Sequence, residues 1–205
     1  MKTRKADLKK ALAILILLLI PIFCSCTNKE KETFFVHAIG FEGSDDGIKI
    51  TAVLENLSKN KKDFFTAESS GSSINKAAEK LSEKYRDCYF ATCDLYFLDF
   101  NAKSITVETI AKDICDSNIF PTTNTILCIK DTSLKGFLDE IKSGEDTKQI
   151  KEKVSKNKVN TAAFFAHFYS GKSTSLDTLA YVEDSFEKVG KTKFSKGRKA
   201  VFNEK

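Results

Sequence analysis

The chain has 205 residues, 41% of them hydrophobic and 30% charged, with a formal charge of +5 and no tryptophan. Residues 1–25 hold five basic groups and one acid; removing them from totals of 33 and 28 leaves 28 basic and 27 acidic groups. A near-neutral remainder lacks the positive excess that neutralises phosphates, so no nucleic acid is expected as a partner. The remaining length, roughly 180 residues, suits one domain with a sizeable core.

The chain opens with Lys2, Arg4, Lys5, Lys9 and Lys10 against a single acid, Asp7. Ala11 to Phe23 is then an unbroken apolar run, ALAILILLLIPIF, followed by Cys24-Ser25-Cys26 and polar Thr27-Asn28-Lys29-Glu30. A basic start, a short apolar centre and a small residue before the cut read as a secretory signal peptide. The run of thirteen residues falls short of the ~20 that a spanning helix needs, so a permanent transmembrane helix is the weaker reading. Phe23 to Cys26 resembles the lipobox of bacterial lipoproteins, in which the cysteine thiol takes a diacylglycerol before cleavage. That resemblance implies lipidation at Cys26, a signal peptide over 1–25, a tether over 26–32 and one extracytoplasmic domain over 33–205. A plain secretory signal with ordinary cysteines is the alternative.

Thr33 to Phe41 and Gly47 to Leu54 are rich in β-branched and aromatic residues, and Ile48, Ile50, Ala52 and Leu54 alternate with Lys49 and Thr51. With turn chemistry at Glu42 to Asp46 between them, they predict an antiparallel hairpin. Asn56 to Ser73 is polar and reads as loop, with a continuing edge strand through Phe64 and Phe65 as the variant. From Ser73 the period changes: Ile74, Ala77, Ala78, Leu81 and Tyr85 fall at helical spacing behind a serine cap. Cys93 to Phe100 is apolar on both faces, the pattern of a central strand. Ser104 caps a second helix with the face Val107, Ile110, Ala111, Ile114 and Cys115. Asn124 to Ile129 reads as a third buried strand. Helices follow over 133–141, 146–155 and 160–169, the last with Ala162, Ala163, Ala166 and Tyr169 on its face. Short strands are expected near Leu179 to Val182 and Lys199 to Phe202. The fold class is therefore α+β (mixed α/β): a mixed β-sheet opened by an antiparallel hairpin, with helices packed on it.

Chemistry-bearing patterns are sparse. Cys88, Cys93, Cys115 and Cys128 contain no C-x-x-C pair, which disfavours a zinc site. Outside the cytoplasm a disulfide is permitted, yet each sits in an apolar neighbourhood, where free buried cysteine is common. Gly171-Lys172-Ser173-Thr174 lacks the upstream glycine of a phosphate loop and follows a helix, so a helix-terminal glycine accounts for it. His37 and His167 show no evident acidic partner or nucleophile, which leaves a hydrolytic triad without support. No catalytic, metal or cofactor-binding residue is assigned, and no cofactor is expected. Two lysine-rich runs, Lys148 to Lys158 and Lys188 to Lys199, read as a solvated face with local counter-charges or as contacts to anionic headgroups.

Several segments, in order, carry a family resemblance. A lipoprotein signal is followed by a strand ending Ala38-Ile39-Gly40-Phe41, an Asp-Asp-Gly turn and the strand Ile48-Lys49-Ile50-Thr51. A Ser/Gly segment then opens an Ala-Ala helix over 72–81, and Tyr89-Phe90 leads into an apolar strand. Asn124 to Lys130 precedes another helix, and Gly197-Arg198-Lys199-Ala200-Val201-Phe202 lies near the end. This succession resembles the Ger(x)C family, the lipoprotein C subunits of spore germinant receptors, over about residues 20–205 and in their N-terminal domain only. The resemblance implies a non-enzymatic, lipid-anchored subunit on the outer face of the cytoplasmic (spore inner) membrane. Its implied partners are the membrane, through the N-terminal lipid, and the receptor's A and B subunits. Two other readings stay open: a free-standing envelope lipoprotein that binds a small solute, and a secreted hydrolase.

Overall fold

Residues 32–45, 47–57, 63–86, 88–100, 104–130, 133–154 and 159–204 are described by the computed structural model. The predicted hairpin is present as β1 (Phe34–Ser44) and β2 (Gly47–Asn56), antiparallel and paired from Phe34↔Asn56 to Ser44↔Gly47 with one register shift between Val36 and Ala38. Gly47 closes it with φ +125, and a Cβ there would lie 2.6 Å from the Gly71 carbonyl oxygen. Only glycine meets both demands.

The stretch expected as loop holds a third strand, β3 (Asp63–Gly71), paired along its length with β2. As an edge strand it tolerates polar residues, and adjacent Phe64 and Phe65 go to opposite faces of the sheet. Its serine-rich end is held by the next helix, α1 (Ile74–Lys84): Ser69 donates to the Ala77 carbonyl at 2.6 Å, and the Lys80 ammonium to that of Ser70 at 2.8 Å. Ser73 caps α1 by accepting the Lys76 N–H at 3.2 Å.

A two-residue strand, β4 (Cys88–Tyr89), and a 3-10 turn over Phe90–Thr92 precede β5 (Leu95–Asp99). Then come α2 (Ser104–Asp116), β6 (Thr125–Ile129), α3 (Leu134–Asp139), α4 (Gly144–Lys153) and α5 (Thr161–Tyr169). The chain finishes with β7 (Thr174–Val182), β8 (Ser185–Phe194) and β9 (Val201–Glu204). The last two helical segments have serine and asparagine caps, as α4 starts behind Ser143 and α5 behind Asn160. The tail, expected to be sparse, is a meander. Glu183 and Asp184, both at positive φ (49 and 59), make the two-residue β7–β8 turn, whose backbone matches the strand twist.

The described strands form one mixed sheet in the order β3-β2-β1-β5-β6-β7-β8-β9, with β4 beside the start of β1. β1, β5, β6 and β7 run parallel; β2 and β3 extend one edge antiparallel, β8 and β9 the other. Helices cover both faces of this sheet. On the first, α1, α2 and α5 bury Leu81, Ile110 and Phe164 against Ile39, Tyr96 and Ile126. On the second, α3 and α4 bury Phe137 and Ile150 against Ala38, Phe97 and Leu127. Continuous apolar strands such as β5 and β6 follow from this, because both of their faces are covered.

Two side-chain expectations are corrected. In α5 the face Ala162, Ala163, Ala166 and Tyr169 is exposed, and Thr161, Phe164, Phe165 and Phe168 are buried. Both sets have helical spacing; the phenyl rings bury far more apolar area, at about 25 cal/mol per Å². Cys115, placed on the inner face of α2, is exposed, one position beyond buried Ile114.

A close approach in the core predicts a measurable coupling. A Cβ on Gly40 would lie 2.5 Å from Leu134 Cδ2, so β1 and α3 meet through the missing side chain. Gly40→Ala is expected to destabilise by roughly 1–3 kcal/mol through overpacking, and Leu134→Ala by roughly 2–5 kcal/mol through a cavity. The double variant should lose less than the sum of the two, because each change relieves the other. Urea unfolding of all four proteins measures this.

Candidate functional site

Cys26, the proposed lipidation site, lies outside the described residues, together with the signal peptide and most of the tether. The described residues do show where the chain enters the fold. Glu32 is exposed, and the Thr33 carbonyl accepts the N–H of Leu57 at 3.2 Å. Phe34 and Phe35 then pair with Cys88 and Tyr89 of β4, in parallel. Phe34 is buried, edge-on to Phe65 and Tyr85 at 5.9 and 5.5 Å. Phe35, half-buried on the other face, stacks on Tyr89 at 5.4 Å and 18°. The entry point is thus clamped on both sides, by the end of β2 and by β4. Its flanks carry two exposed apolar residues, Leu57 at 46% and Tyr89 at 50%.

Just inside this clamp β1 carries a bulge. The register shifts between Val36 and Ala38, so His37 has no opposite residue in β2. On its other side the 3-10 turn interrupts the partner strand, and the gap is bridged by hydrogen bonds. The Thr92 hydroxyl donates to the Val36 carbonyl at 3.0 Å, and the Asp94 N–H to that of His37 at 3.3 Å. The bulge sets Ala38 on the same face as His37, and strict alternation resumes from there. Here the His37 ring meets Phe64 at 5.0 Å, and its Nε2 lies 2.7 Å from Glu55 Oε2. The acidic partner absent from the local sequence therefore comes from the neighbouring strand. Asp94, whose N–H holds the bulge, also pairs with Lys151 of α4 at 2.5 Å. These contacts brace one end of the sheet.

Beside the entry end, Ala78, Ser82, Cys88, Phe90 and Ile119 line an open groove of about 550 Å³, with Glu79 and Glu83 on its rim. Its floor is apolar. Lys148, Lys151, Lys153 and Lys188 of the two basic runs pair with Glu145, Asp94, Glu187 and Asp177, which favours local counter-charge for those four, the Lys188–Asp177 pair being largely buried. Gly171, at φ +73, follows the last turn of α5, and its N–H donates to the Phe168 carbonyl at 3.2 Å. It acts as a helix terminator. No helix among the described residues is long and apolar enough to cross a membrane. No group of three or more His, Cys, Asp or Glu side chains among them is placed to hold a metal ion.

Comparison with known proteins finds no match to this chain among family models, curated proteins or solved structures.

All four cysteines among the described residues are free thiols in different settings. Burial pushes the Cys128 thiol up to about 12 and that of Cys93 also far upward, whereas Cys115 is exposed. Because the thiolate is the reactive form, Cys115→Ser should remove one fast-reacting equivalent in a timed chromogenic thiol titration of the folded protein. Cys93→Ala and Cys128→Ala should remove none until denaturant is added.

Proposed function

We propose that this chain is a lipid-anchored, non-enzymatic extracytoplasmic subunit of a spore germinant receptor, held to the outer face of the cytoplasmic membrane through Cys26. The observation that carries the reading is the succession of a basic start, a thirteen-residue apolar run and Ser25-Cys26, with a folded unit beginning at Glu32. Ser25 is small enough for the cleavage slot, Cys26 supplies the thiol, and the few polar residues after it are a tether. The order of the segments that resemble Ger(x)C proteins supports the receptor assignment. Ala38 to Phe41 falls in the doubly paired part of β1, Ala77-Ala78 faces the core from α1, and Val201-Phe202 opens β9. The work of such a subunit is to present a folded surface to the multi-spanning A subunit and the transporter-like B subunit.

Two chemical steps follow from the anchor: diacylglycerol is added to the Cys26 sulfur, then the chain is cleaved between Ser25 and Cys26. Cys26→Ala should leave an unprocessed precursor, while Cys24→Ala should change little. Mass spectrometry of the mature N-terminus checks both; an unmodified Cys26 or a different start overturns the anchor. Affinity capture of the tagged lipoprotein from solubilised spore membranes should bring down A- and B-type subunits, and failure to recover either overturns the receptor assignment.

A second reading, a free-standing lipoprotein that binds a small solute, is favoured by the groove of about 550 Å³, which lies within the usual ligand-pocket range. It predicts thermal stabilisation by an amino acid, sugar or nucleoside, amounting to about 2.7 kcal/mol at a hundredfold excess over Kd.

A further inference from the structure

We propose that the entry end of the sheet docks on the lipid bilayer itself, with Leu57 and Tyr89 seated at the boundary between headgroups and acyl chains. This rests on the lipid-anchor reading and adds an orientation to it. Cys26 and Thr33 are seven residues apart, and seven fully extended residues span at most about 25 Å. The sulfur of an acylated cysteine lies at the bilayer surface, so the Thr33–Leu57 contact is confined to that distance from it.

The side chains exposed at this end suit that surface. Leu57 is 46% exposed on the residue whose N–H holds Thr33. Tyr89 is 50% exposed, with its ring fixed against Phe35 and its strand paired to the first residues of β1. Tyrosine concentrates at membrane interfaces because its ring is apolar and its hydroxyl is wet. Both side chains stand on strand ends whose backbone is hydrogen-bonded, so little ordering is left to do on contact. Charge gives no strong steering. Lys84 and Arg86 are exposed at the end of α1, but so are Glu32, Asp63 and Glu83 at the same end. Docking is therefore apolar and does not require anionic lipid. A weak contact suffices, because a short tether holds the surface at an effective concentration of about millimolar.

The chain contains no tryptophan, so a single substitution supplies a unique fluorophore. Leu57→Trp and Tyr89→Trp place it at the entry end. Val182→Trp places it at the opposite end, on an exposed residue where β7, parallel to the β1 side of the sheet, runs out. Each acylated full-length variant, with its lipid verified by mass, is reconstituted in phosphatidylcholine vesicles with brominated acyl chains. Emission from positions 57 and 89 should be quenched several-fold more than that from 182, and equally so at high salt. Acylated protein in which all three positions are quenched alike, or none is, overturns the docking and leaves the anchor standing. A chain that carries no lipid on Cys26 overturns both. The two entry-end positions are independent, so the result does not hang on either substitution folding well.

Discussion

β1 is the strand on which the rest of the structure depends. From Ala38 to Phe41 it is hydrogen-bonded on both edges, to β2 and to β5, and Val36, Ala38, Ile39 and Phe41 are fully buried. A strand in that position can expose no polar group and leave no backbone donor unmatched. Helical layers must therefore lie on both of its faces. On one face Phe41 meets Tyr96 and Phe120, edge-on, at 5.4 and 6.3 Å. On the other, α3 comes so near that Gly40 has no room for a methyl group. The parallel neighbours β5, β6 and β7 continue the same demand, and α2, α4 and α5 answer it along their length.

The elements that were legible in the sequence are those whose burial repeats with a clear period. The hairpin and α1 each had such a period, with the cap of α1 where the period changed, whereas β5 and β6 were marked by short continuous apolar runs. The β3 segment was obscured because an edge strand has few buried positions, and here Phe64 and Phe65 adjoin one another rather than alternate. β8 was missed for a related reason. Its sequence from Ser185 to Phe194 is dominated by Glu187, Lys188, Lys191 and Lys193, and only Phe186, Gly190, Thr192 and Phe194 are buried. The wrong face of α5 has another origin. Ala-Ala-Phe-Phe-Ala-His-Phe allows two stripes with the same spacing, and area rather than period decides between them.

The His37–Glu55 pair follows from the hairpin register rather than from any local motif. The two residues are 18 apart, on strands whose simple register would set Glu55 opposite Phe35, as it does. His37, two residues on from Phe35, shares that face by simple alternation, and the bulge sets Ala38 beside it on the same side. The bulge in turn requires the partner strand to step aside, which the 3-10 turn at Phe90–Thr92 does, with Thr92 returning a hydrogen bond to the Val36 carbonyl. A local irregularity in one strand is thus matched by one in its neighbour, and neither alters the hydrophobic pattern enough to announce itself.

On the proposed anchoring, the same geometry gives the molecule a polarity. β1, β5, β6 and β7 are parallel, so all four start toward the end at which the chain enters and run away from it. In open α/β sheets, ligands bind outside the carboxyl ends of the strands, where loops leave the sheet in different directions. On the proposed anchoring the amino ends, flanked by Leu57 and Tyr89, are kept within about 25 Å of the bilayer surface by the tether. The carboxyl ends, with Asp99, Phe100 and Lys130 at the close of β5 and β6, then face outward. On that proposal, the end of the sheet less suited to recognition meets the membrane, and the carboxyl ends are left to other molecules.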